Sequence, residues 1–303
     1  MLKKSIIYSE RYLVDIGLHV FPTNKYTLIR DQIINNHKFQ KTDFLEPVSA
    51  AEEDILLVHT KEYYLKLKNN KLSHEEIIKL ELPFCKDVFE ASCLCCGGTI
   101  MCSKRALQSG ASIHLGGGFH HAFPDHGEGF CVLNDVAVAI RKIQKEKLAK
   151  KIMIIDCDLH QGNGNAFIFQ NDKNVFTFSI HQQDNYPFFK PKSNLDVGLH
   201  LATDNMYMEA LEKNIPETLE EFSPDLVVYI AGADPYKDDQ IGGFYLTIEG
   251  LFKRDRFIFE HLKNMKIPAA VVLGGGYAVN LEDTVQIHYN TVRAAMMTYE
   301  KTK

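Results

Sequence analysis

Five short apolar runs, rich in β-branched residues, constrain this 303-residue chain more than any other feature. They are SIHL at 112–115, KIMIID at 151–156, VFTFSI at 175–180, DLVVYIAG at 225–232 and AAVVLG at 269–274. Runs of this length without polar alternation are what strands buried on both faces look like. Between them lie helical patterns, at 87–107, 134–150, 206–221 and 248–265, with an earlier one at 49–64 opened by the capping-box arrangement Ser49-Ala50-Ala51-Glu52. Strands alternating with helices predict βαβ units and a mainly parallel sheet flanked by helices, an α/β fold in three layers. No repeat, low-complexity tract or linker divides the sequence, so residues 1–303 read as a single domain.

Each run empties into residues that can bind or react. SIHL leads to His120 and His121, KIMIID to Asp156, Asp158 and His160, and VFTFSI to Ser179, His181 and Asp184. DLVVYIAG leads to Asp234 and AAVVLG to Tyr277. Open α/β sheets bind ligands at the carboxyl ends of their strands, so these residues are expected on one rim.

Composition excludes several classes of function. A net charge of −5 argues against a direct nucleic-acid binder. No uncharged apolar stretch is long enough to span a bilayer, and MLKKSIIYSERYL has too short an apolar run for an export signal, so a cytoplasmic protein is expected. Four of the seven cysteines, Cys93, Cys95, Cys96 and Cys102, then read as reduced, buried small hydrophobes inside a helix. The Lys-rich KIQKEKLAKK at 142–151 reads as a solvated helix face. Nothing in the sequence signals an oligomeric state.

The rim residues suggest a reaction. In Asp156-x-Asp158-x-His160, alternate residues leaving a strand share a face, and two acids with an imidazole suit a divalent metal, with Asp234 as a further ligand. The bland alternative is helix capping plus a core histidine. A metal lowers the pKa of water towards neutrality, and a histidine can take up and return the proton. In LGGGFHHA the three glycines permit the turn that aims His120 and His121 at one target. Tyr277, on a second Gly-Gly-Gly turn, supplies a phenol to stabilise an oxyanion. Together they describe hydrolysis of an amide.

LGGGFHHA, GFCVLND, DCDLHQGNG, GADPYKDDQIGG and LGGGY, in this order and spacing, resemble the zinc-dependent histone deacetylase family on the arginase-like fold. The combination of LHQGNG, NYP and DDQIGG is most similar to the class IV branch and its bacterial relatives. The resemblance implies zinc ligands at Asp158, His160 and Asp234, a general base/acid at His121, an assisting His120 hydrogen-bonded to Asp156, and carbonyl polarisation by Tyr277. It implies a potassium ion near Asp156, Asp158, His160, Ser179 and Ile180, and an acyl-lysine tunnel at Gly129, Phe130 and Tyr186. Ile241 and Glu81 fall at the tunnel mouth. Asn163 stands where some members carry an aspartate partner of the second histidine, which is expected to lower the pKa of His121. Iron or cobalt would also suit the ligand set.

The expected substrate is an acyl-lysine protein or peptide, with small acylated amines such as acetylpolyamines as the alternative. Ile241, where a polyamine-selecting relative can carry Glu, tilts towards lysine, while Asp238 and Asp239 tilt back. Two-metal ureohydrolase chemistry is disfavoured, because Gly162 replaces the further carboxylate it needs. A non-catalytic binding protein would be expected to lose His121, Tyr277 or a ligand. His126 is expected at the surface, His59 and His114 in the core, and His19 in a structural role.

Overall fold

In the computed structural model, which describes residues 4–37 and 39–299, one eight-stranded sheet runs through the molecule. Its strands are β1 (Ile6–Ile7), β2 (Phe44–Leu45), β3 (Ala111–His114), β4 (Ile152–Asp156), β5 (Val175–Gln182), β6 (Leu195–Leu199), β7 (Leu226–Ile230) and β8 (Ala269–Val272). They lie in the order β2-β1-β3-β8-β7-β4-β5-β6, and every pairing is parallel. The helices are α1 (Lys25–His37), α2 (Glu52–Ile55), α3 (Lys61–Lys68), α4 (His74–Leu80), α5 (Lys86–Ser109), α6 (Asp135–Lys145), α7 (Asn163–Phe169), α8 (Asp204–Phe222), α9 (Ile248–Asn264) and α10 (Leu281–Tyr299).

Strand alternation builds the three layers. Met153, Ile155, Val227, Tyr229, Ala269 and Val271 face a core shared with α1, α8, α9 and α10. Their neighbours Ile152, Ile154, Val228, Ile230, Ala270 and Val272 face a second core with α6 and the C-terminal half of α5. Both faces are dry, which is why these strands read as unbroken apolar runs. Cys93, Cys95, Cys96 and Cys102 are free and buried in α5, as expected. No helix among the described residues is long and apolar enough to cross a membrane.

The register sets the rim. His114 pairs with Val272, Val272 with Ile230, Ile230 with Asp156, and Asp156 with Ser179. The central strands therefore end on one line, and whatever follows them shares one edge.

Two expectations need correction. The segment 49–64 is no single helix: it is broken into α2 and the start of α3, and Ser49 caps nothing. Residues 48–50 stay extended against α5, where Ala50 N–H donates to the Cys93 carbonyl and a Cβ on Gly97 would lie 1.8 Å from the Val48 oxygen. The capping box forms instead at Ser73 and Glu76, opening α4. The Lys-rich run is helical only as far as Lys145, and its second half turns towards β4.

Candidate active site

The two glycine turns after β3 and β8 touch. Gly118 has φ +89°, and a Cβ there would lie 2.7 Å from the Gly274 Cα. Gly274 N–H donates to the Gly117 carbonyl. Below the first turn, the buried Asp135 carboxylate accepts from the N–H groups of Gly118 and Phe119 and from the Thr99 hydroxyl. Thr99 in turn meets His114 Nδ1, and His114 Nε2 meets the Tyr12 hydroxyl at 2.6 Å. Burial holds His114 neutral, with its pKa down at about 3. The α6 N-terminus thus fixes the backbone that carries the histidine pair.

That turn delivers His120 and His121 with Nε2 atoms 3.0 Å apart. His120 Nδ1 is 2.7 Å from Asp156 Oδ2. Burial opposes its charge, but the Asp156 and Asp158 carboxylates outweigh burial and raise its pKa to about 9. His121 Nδ1 is 2.7 Å from Asn163 Oδ1. Burial, then the neighbouring His120 and His160, push His121 well below the ordinary histidine value. The two imidazoles are driven apart in basicity, the pattern expected of groups with different proton-transfer roles. The direction is the expected one but the cause is not: burial is the largest contribution, and the hydrogen bond to Asn163 acts the other way.

Asp158, His160 and Asp234 converge, all buried, with one ligand atom of each within 4.8 Å of the others. His160 Nδ1 lies 3.3 Å from Asp158 Oδ1 and 3.2 Å from Asp234 Oδ2. The remaining carboxylate oxygens are held by backbone: Gly275 N–H donates to Asp158 Oδ2 and Leu159 N–H to Asp234 Oδ1. Burial and the Asp158 charge raise the pKa of Asp234, and hydrogen bonds to both acids raise His160 to about 10 against the cost of its burial. Two buried carboxylates this close to one another need a proton or a cation to balance their charge. A divalent cation compensates the same charges without that proton, so the donor set fits a metal. Gly275 leaves the room, since a Cβ there would lie 2.3 Å from Asp234 Oδ2.

Above this cluster opens a cleft of about 180 Å³, lined by His121, His160, Tyr277, Phe130, Tyr186, Gly129, Asn185, Ile241 and Glu81. The Tyr186 ring stands edge-on to His121 at 5.1 Å, and Phe130 edge-on to Tyr277 at 5.7 Å. Gly129 and Phe130 both have positive φ, +52° and +66°, and Glu128 and Cys131 exchange backbone hydrogen bonds across them. This tight I′-like turn lays the chain over His121, where a Cβ on Gly129 would come within 2.8 Å of the ring. Every substrate-binding residue expected from the sequence therefore lines one cleft. Of the potassium-type set, Asp156 and Ser179 are register partners at the ends of β4 and β5.

Other expectations shift. Asp239 is not available at the mouth, because its carboxylate accepts from the N–H groups of Ile241 and Tyr277. Asp184 turns away to pair with His200 at the surface. His126 stacks on Phe123 and braces Glu128, instead of standing free at the surface. His59, His114 and His19 behave as expected, His19 packing on Phe130 and holding the Glu81 carbonyl. Sequence reasoning missed Lys25, fully buried beside the second glycine turn, with Nζ donating to the Gly274 carbonyl. Burial pulls its pKa down to about 8. It also missed Glu128, for which the only signal was a second acidic residue in the PDHGEGF loop.

The histone deacetylase domain family matches residues 19–292. The chain is 37% identical to an uncharacterized protein of Picosynechococcus sp. over 97% of this chain and 99% of that one. It is 28% identical to histone deacetylase 2 of Arabidopsis thaliana over 91% and 75% of the two chains, and 32% identical to the acetoin utilization protein AcuC of Bacillus subtilis over 76% and 65%. Among solved structures, the HDA15 HD domain superposes with a TM-score of 0.80 at 20% identity, covering 98% of this chain and 90% of that one, which establishes the fold. With the Asp-His-Asp cluster, the histidine pair and the cleft tyrosine all inside the matched span, the chain belongs to the histone deacetylase family.

Proposed function

We propose that residues 1–303 act as one catalytic domain that removes acyl groups from the ε-amine of lysine in a protein or peptide. The observation that carries this reading is the narrow cleft with aromatic rings on its walls and His121, His160 and Tyr277 at its lining. An extended alkyl chain fills such a slot and excludes water from the reacting end.

Asp158, His160 and Asp234 are the residues to hold the metal, with zinc the first candidate and iron or cobalt also accommodated. When bound, the cation supplies Lewis acidity towards an acyl oxygen and lowers the pKa of a water. His121 Nε2 takes the proton of the attacking water and returns it to the leaving amine. His120, tethered to Asp156, holds the adjacent hydrogen bond and positive charge. Tyr277 donates its hydroxyl to the developing oxyanion. Phe130 and Tyr186 flank the alkyl chain. A potassium ion among Asp156, Asp158, His160, Ser179 and Ile180 completes the proposal as a structural ion, and the class IV likeness extends it to longer acyl chains.

Glu81 supports a second reading, a small acylated polyamine, because it lines the same cleft and an acid there would attract a cationic tail. Turnover of acetyl-, octanoyl- and myristoyl-lysine peptides, set against acetylated polyamines, decides between them. Activity on the polyamines alone overturns the lysine assignment. Elemental analysis of the purified protein identifies the metal, and chelation is expected to abolish turnover and lower the melting temperature, since it strands two buried carboxylates.

A further inference from the structure

Asn163 is pinned at both ends. Its Oδ1 accepts from the Gly164 N–H at 3.0 Å, and its Nδ2 donates to Glu128 Oε1 at 2.7 Å. A backbone N–H can only donate and an ionised carboxylate can only accept. The amide therefore cannot flip, and the atom facing His121 Nδ1 at 2.7 Å is the oxygen. An oxygen there requires a proton on His121 Nδ1, which leaves Nε2, the atom in the site, unprotonated and able to accept. The 3.0 Å contact between the two Nε2 atoms agrees: it needs one proton, and His120 supplies it.

We propose that Glu128 is a positioning residue for the base: by fixing the Asn163 amide, it holds His121 in the Nδ1–H tautomer with Nε2 free to accept a proton. An amide alone could present either its oxygen or its nitrogen to the ring; the Gly164 N–H, from the adjoining residue, favours the oxygen, and the Glu128 carboxylate completes the restraint from a separate element. Glu128 is built for this. It opens the I′-like turn that also carries Phe130, and it accepts from the Tyr186 hydroxyl at 2.9 Å, so one carboxylate ties the base to a cleft wall. His126 at 3.4 Å and Lys79 at 3.5 Å brace its other oxygen. Burial opposes its charge, but these partners hold its pKa at about 2, so it stays an acceptor at any working pH. A carboxylate reached through the Asn163 amide thus takes part of the place that an aspartate at position 163 would occupy.

The inference rests on His121 as the base, and it is tested first without turnover. Long-range 1H–15N spectra of zinc-loaded, 15N-histidine-labelled protein are expected to show His121 protonated at Nδ1 in the wild type and mixed between Nδ1 and Nε2 in Glu128→Ala. Kinetics follow on whichever acyl-lysine or acetylpolyamine probe turns over. Glu128→Ala is expected to lower kcat about tenfold or more with a smaller change in KM. In an Asn163→Asp background the sign reverses. A carboxylate at 163 accepts from His121 without help and is repelled by Glu128, so removing Glu128 there raises kcat. Glu128→Met, close in size but without an oxygen to accept from Asn163 Nδ2, carries the same comparison if the alanine variant does not fold. An unchanged His121 tautomer in the Glu128 variants, or equal losses in both backgrounds, overturns the proposal. Such a result leaves the hydrolase reading untouched, whereas a correct tautomer with no turnover on any probe counts against the hydrolase reading alone.

Discussion

His121 and Tyr277 line the same cleft but depend on different chemistry. In the proposed mechanism His121 must gain and then give up a proton, and the burial that lowers its basicity keeps it neutral beforehand. His121→Ala is expected to reduce kcat by about 10²–10⁴-fold while metal content, measured by elemental analysis, stays at the wild-type level. Tyr277 is the donor in that mechanism, and burial followed by the charges of Asp158 and Asp234 drives its pKa far up, which keeps the hydroxyl protonated. Tyr277→Phe deletes only the hydroxyl and is expected to cost about 10²–10³-fold in kcat with little change in KM. An unaltered kcat in that variant removes Tyr277 from the mechanism. Both residues were legible in the sequence, because each follows a glycine turn at the end of an apolar run. Glu128 and Lys25 were not, because their roles depend on Asn163 and Gly274, which are distant in the chain and meet them only after folding.

At the scale of elements, the site is held by the contact between two glycine turns. Gly118 occupies a left-handed conformation and abuts the Gly274 backbone. Gly118→Ala both strains φ and drives a methyl into backbone that cannot yield. A loss of about 2 kcal/mol or more in denaturant unfolding is expected, together with loss of turnover. Wild-type stability in that variant would show that the turns can separate freely. The sequence located β3 to β5, β7 and β8 because their burial on both faces leaves an uninterrupted apolar signature. It did not reveal β1 and β2, two residues each, or the half-exposed β6. The lost capping box at Ser49 has a tertiary cause: the close approach of residues 48–50 to Gly97 outweighs a local cap worth only about 1 kcal/mol.

Across the whole molecule, histidines buried in the neutral form are expected to make stability depend on acid. His59, His114 and His181 are buried, and burial is the main cause that depresses their pKa values from 6.5 to about 4, about 3 and about 4. The unfolded chain takes up these protons near pH 6.5, whereas the folded chain resists until much lower pH. Their contribution is therefore complete above pH 6.5 and is lost as pH falls towards 4, on the order of 3 kcal/mol for His59 alone. Urea unfolding at about pH 7.5 and about pH 5 is expected to show this fall. His59→Gln, whose amide oxygen can still accept the Asn134 N–H, is expected to fall less. An identical drop in both proteins would mean that His59 is not part of the acid sensitivity.

The sequence by itself determined the parallel α/β architecture and the rim that carries the metal-type residues. Apolar run length and the residues following each run are local properties, and parallel strands in register align their ends whatever the details between them. Only the tertiary structure decided which oxygen faces which nitrogen. The orientation of the Asn163 amide, the engagement of Asp239 with backbone and the burial of Lys25 each depend on partners from separate elements. Hydrogen-bond direction is fixed by what surrounds a group, and that is settled when the elements pack.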